Sequence, residues 1–156
     1  MGSFTSDYNP FANLDLHIPV AFRDDVTRYT TSQGGGGDTS EDSTPFVRYV
    51  DLWASAVAIG AEEDAYVSGV EQHRFILGSV LQGDLVRIEF LQLIAIAHSE
   101  DPYVVKDPRK IIEIADAYAA GGLPILMEWL DGGVQTPMAS VTKHMVRYLT
   151  EKAPST

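Results

Sequence analysis

The chain contains no cysteine. That excludes disulfides, thiol catalysis and zinc–thiolate sites. Positive charge is scarce too: 11 Lys and Arg stand against 22 Asp and Glu, a formal net charge of −11. A domain that grips nucleic acid alone usually carries a basic face, and phosphate repels this chain on average. Solubility through charge is the plainest use of such a balance. A local basic patch, a partner that supplies the DNA-binding surface, and adaptation to high salt are the other readings. Long hydrophobic runs are also missing. Arg87, Glu89 and Gln92 interrupt the longest apolar stretch, so none is expected to span a bilayer. The first thirty residues lack the basic-then-apolar pattern of a secretion signal, and a cytoplasmic protein is expected.

What remains is an apolar fraction of 45% in 156 residues, enough for one domain with a real core plus a tail. Three regions are expected. Residues 1–29 form an N-terminal extended segment in which Leu14, Leu16, Ile18 and Val20 alternate with more polar neighbours. Pro19 restricts it to an edge strand. It reads equally as a loosely ordered tail or as a peptide that docks on its own domain or a partner. Residues 30–44, with four consecutive glycines among Ser, Thr and Asp, read as a flexible linker. No Lys-Ser or Lys-Thr follows them, as a phosphate-binding loop requires.

Residues 45–152 read as a helical domain. Thr44-Pro45, Asp107-Pro108 and Thr136-Pro137 each pair an N-cap residue with proline at the first helical position. The expected helices run over about 45–59, 84–98, 108–120, from Pro124 to about 131, and 137–152, with a helical turn over 76–81. Gly60 reads as a helix C-cap, and Gly121-Gly122 as the turn between two helices, because glycine enters the left-handed C′ conformation without steric cost. In the last helix Met138, Val141, Met145 and Leu149 are expected inside. The fold class is therefore all-α, a compact bundle of five or six helices with an extended or flexible N-terminal segment.

Chemistry is hard to find. None of His17, His73, His98 and His144 pairs with another at metal spacing. His98 closes a helix, where a cation suits the dipole. No serine occupies a nucleophile elbow. Glu113 and Asp116 share a helix face, a common and usually solvated spacing. Glu62-Glu63-Asp64 lacks the EF-hand pattern. No catalytic, cofactor or metal residue is assigned. Two basic groups are the candidates for a partner contact: Lys143, His144, Arg147 and Lys152 on the last helix, and Lys106, Arg109 and Lys110 near a helix N-terminus, where the dipole disfavours cations.

Three segments carry a resemblance: 49–60 (Tyr-Val-Asp-Leu-Trp-Ala-Ser-Ala-Val-Ala-Ile-Gly), 93–97 (Leu-Ile-Ala-Ile-Ala) and 117–123 (Ala-Tyr-Ala-Ala-Gly-Gly-Leu). Over about residues 45–131 the chain resembles the DNA phosphorothioation-associated protein 4 (Dnd system-associated protein 4) family. Its motifs are structural. The acidic stretch 61–65 stands where the family is richer in basic residues. The resemblance implies a non-catalytic accessory subunit in a prokaryotic anti-phage system that places sulfur in the DNA backbone or restricts DNA lacking it. The implied partner is a larger protein subunit, with DNA contact indirect or weak. The alternative is a small DNA-contacting or regulatory helical protein using the basic last helix. The apolar fraction permits a homo-oligomer without requiring one.

Overall fold

A computed structural model describes residues 8–31 and 42–154. Most of the expected glycine-rich linker, residues 32–41, lies outside the described residues. In chain order the elements are β1 (Asp15–Pro19), α1 (Arg23–Arg28), α2 (Tyr49–Glu62), β2 (Gln72–Leu77), α3 (Leu85–Ser99), α4 (Pro108–Leu130) and α5 (Pro137–Lys152), with short 3-10 turns between some of them. The molecule is mostly helical, and a two-stranded antiparallel sheet corrects the expectation of a purely all-α fold. The alternation at Leu16 and Ile18 does produce a strand, and both side chains are buried. Its partner β2 went unrecognised. His73 and Phe75 are only half-buried in it, and Leu77 is exposed, so it shows no clean period of two.

α4 is the centre of the fold. It runs unbroken for 23 residues, straight through Gly121, Gly122 and Pro124. The expected turn at Gly121-Gly122 does not exist. Burial overrides the local signals: Leu123, Leu126 and Leu130 continue the inward stripe of Ile111, Ile112, Ala115 and Ala119. Pro124 removes one helical hydrogen bond, but it lies on the exposed side.

The glycines serve packing instead. α2 crosses α4 so closely that a Cβ on Gly122 would strike the Ala56 carbonyl and one on Gly60 the Tyr118 carbonyl, while one on Gly121 would strike the Ala65 carbonyl in the segment that follows α2. Helices normally pack about 8–10 Å apart because side chains separate them. Here backbone meets backbone. Gly60 is accordingly an interior residue of α2, not its C-cap.

α2 also begins later than Thr44-Pro45 suggests. Phe46 is held in an extended bridge to Thr30: the Thr31 N–H donates to the Phe46 carbonyl at 2.8 Å, so the first turn starts only at Tyr49. Asp51 closes it by accepting from the Arg48 N–H at 3.1 Å. The starts at Asp107 and Thr136 follow the sequence, the two residues capping α4 and α5 through their side chains, and Asp84 caps α3 in the same way. α5 buries less than expected. Val141 is inside, Met138 and Met145 are half-buried, and Leu149 is 67% exposed. On α3, Val86 and Leu93 likewise face outward.

Candidate functional site

Two concave regions stand out. The first is a polar cavity of about 530 Å³ between β1, the segment 66–72 and the first half of α4. Its centre is His17. The ladder between β1 and β2 slips there, with Leu16 opposite Ile76 but His17 opposite Arg74. The extra residue, Phe75, is in β2, and the ladder is locally broken at His17. The freed His17 N–H donates to Asp116 Oδ1 at 2.8 Å, and the ring Nδ1–H donates to Asp116 Oδ2 at 2.7 Å. The Trp53 indole N–H donates to the His17 carbonyl at 3.2 Å. Three hydrogen bonds thus fix one residue. Nδ1 is occupied, and Nε2 has no partner among the described residues.

Asp116 is only 4% exposed, on an otherwise apolar face of α4. This overturns the expectation of a solvated carboxylate. Burial pushes its carboxyl above the usual range, against the pull of the two His17 bonds. Bonding to Asp116 raises the His17 imidazole in turn, and burial only partly opposes that. Asp15, Glu113 and Arg109 also line the cavity, with Tyr66 on its wall. Arg74 pairs with Asp15 at 3.6 Å, and Lys110 with Glu113 at 3.6 Å. Arg109 has no carboxylate partner among the described residues.

The second region is an apolar groove of about 610 Å³ between α2, α3, the end of α4 and α5. Ile59, Phe90, Ile94, Trp129, Met145 and Leu149 line it. The Tyr148 hydroxyl is buried there, and burial together with the neighbouring Glu63 carboxylate pushes its phenol up. Lys152 closes one end, 3.3 Å from Glu63 and 3.9 Å from Glu62.

The sequence-selected cations are scattered rather than pooled. Lys143 and Arg147 are exposed and without ion pairs among the described residues. His144 stacks on Trp129, and Lys152 is committed to the acidic end of α2. Lys106 lies over the Tyr103 ring and Lys110 pairs with Glu113. Arg109 of that group lines the polar cavity. It and Trp129, against which α5 packs, are twenty residues apart on one helix, about 30 Å. His98 does sit at the end of α3, but there it bonds the Tyr118 hydroxyl at 2.9 Å and stacks on Tyr66. His17 was the residue missed. Its signal was an aspartate inside the apolar stripe of α4, which demands a partner once buried.

Among the described residues no group of side chains is arranged to hold a metal ion, and no helix is long and apolar enough to cross a membrane. Comparison with curated proteins and with solved structures finds no match. A family model does match residues 37–154, a wider span than the 45–131 of the resemblance, taking in α5 but leaving β1 and α1 outside. The matched span holds the glycine-lined crossing of α2 and α4 and the whole of α5, and on it the chain belongs to the family of DNA sulphur modification system-associated protein 4.

Proposed function

We propose that this protein is a non-catalytic accessory subunit of a DNA phosphorothioation-linked modification or restriction system in the cytoplasm, and that it docks on a larger protein subunit. Family membership supports the system. The apolar groove between α2, α3 and α5 is the observation that supports docking. A well-packed domain of this size has little reason to leave Leu149 67% exposed beside half-buried Phe90, Ile94 and Met145. A helix laid into such a groove is a familiar mode of recognition.

The test is affinity capture of the tagged full chain from its native cells, with captured proteins identified by mass spectrometry. A motor, nuclease or sulfur-transfer protein is expected with the wild type and lost with Leu149→Glu. Recovery of no such protein, or equal recovery with the variant, defeats the proposal. The second reading, DNA contact through α5, rests on Lys143 and Arg147 being exposed and unpaired among the described residues. Two such charges on a chain of net charge −11 give a weak, salt-sensitive grip. A mobility shift at low salt that disappears with the K143E/R147E double variant supports it, and no shift removes it.

A further inference from the structure

The polar cavity lies apart from the docking groove, and its charge balance is specific. Each carboxylate on its wall has a cation: Asp116 has His17, Asp15 has Arg74 and Glu113 has Lys110. Of the cations on or beside this wall, Arg109 is the one without a carboxylate among the described residues. A guanidinium presents a fork of donors suited to a carboxylate or phosphate. The second donor available to the same space is the Nε2 of His17, a side chain 35% exposed and held from behind by the buried carboxylate.

We propose that this cavity binds a small organic molecule bearing a carboxylate or phosphate, gripped by the Arg109 guanidinium and the His17 Nε2–H. A volume of about 530 Å³ falls within the range of small-molecule sites. Leu14, Val67, Val70 and Ile112 provide an apolar wall for the body of the ligand, while Asn13 and Gln72 offer amides at its edge.

A plain structural tie between β1 and α4 accounts for less. The His17 N–H bond to Asp116 would suffice to dock the strand. A tie does not explain why the ring lines a cavity with an unpaired arginine on the same wall. The histidine comes from outside the span matched by the family model, whereas Asp116 and Arg109 lie inside it. The cavity is thus completed by the N-terminal segment of this chain.

Binding requires the proton on Nε2. The charged and titratable groups facing the ring are Asp116, Glu113 and Arg109 from α4, Asp15 from its own strand and Tyr66 from the loop before β2. Asp116 and Asp15 both favour the imidazolium. Affinity should therefore hold at mildly acidic pH and fall as the ring loses its proton.

The test is an NMR titration of the full chain, following the histidine ring signals, with inorganic phosphate and separately with benzoate. Saturable movement of the His17 signals with either probe is the expected result. Benzoate alone identifies an organic carboxylate as the ligand type, and phosphate alone a phosphomonoester. Arg109→Gln, an exposed change that leaves the fold intact, should weaken binding about tenfold, the loss of about one charge-assisted contact. The K143Q/R147Q double variant should bind as the wild type does. No saturable shift with either probe overturns the proposal, as does undiminished affinity in Arg109→Gln or an equal loss in the K143Q/R147Q variant.

Discussion

α4 holds two neighbours by opposite means. Against α2 it presents glycines, so that backbone touches backbone and no functional group intervenes. Against β1 it presents a buried carboxylate that takes two hydrogen bonds from one histidine. The first contact depends on shape alone: it is dry, insensitive to pH, and has no room for a single added carbon. The second depends on charge. It tolerates a change of volume at the cavity, but not the loss of a partner. The difference separates what holds this domain together from what can respond to a ligand.

The sharpest way to break the comparison is to add one methyl group to the first contact. Gly122→Ala places a Cβ against the Ala56 carbonyl and within 2.8 Å of the Gly60 nitrogen, so the helices must part. Alanine favours the helix by about 1 kcal/mol over glycine. Overpacking against rigid backbone outweighs that gain, and a net loss of about 3 kcal/mol is expected in urea unfolding. Unchanged or increased stability would show that the seam is not closed.

These two contacts also mark what the sequence could reveal. Caps at Asp107 and Thr136 were legible, because a side chain bonding its own helix is a local event. The alternation at Leu16 and Ile18 was legible for the same reason. Gly121-Gly122 followed by Pro124 was misread, since the same residues that end a helix locally also permit a close crossing. Which role applies depends on Ala56 and Gly60, some sixty residues earlier. His17 and Asp116 are 99 positions apart, and no pattern along the chain links them. The exposed face of α5 was misjudged because period alone marks an apolar stripe without saying how much of it another element covers.

The second contact should yield less to substitution. Asp116→Asn keeps the shape, but its amide can satisfy only one of the two His17 donors. The His17 ring is partly exposed, so water takes up some of the loss. A cost of about 2 kcal/mol is expected in urea unfolding, smaller than that of the added methyl at Gly122. If Asp116→Asn proves the more damaging change, charge rather than shape is the principal fastening of α4.

The smallest effect is the most specific to the charged contact: a dependence of stability on pH. His17 has its folded pKa raised above the unfolded 6.5, chiefly by its bond to Asp116. Its contribution is therefore fully present below pH 6.5 and is lost as pH rises through the folded value. Asp116, raised above 3.8 by burial, acts with the same sign in a lower window, because the folded state again holds the proton more firmly than the unfolded one. The urea midpoint should fall as pH rises from 6.5 through the folded value of His17, while the glycine contacts hold no titrating group. His17→Gln should flatten that fall while leaving the loss caused by Gly122→Ala the same at every pH. A midpoint that rises over this interval, or an undiminished slope in His17→Gln, would mean that the proton is not shared where the geometry puts it.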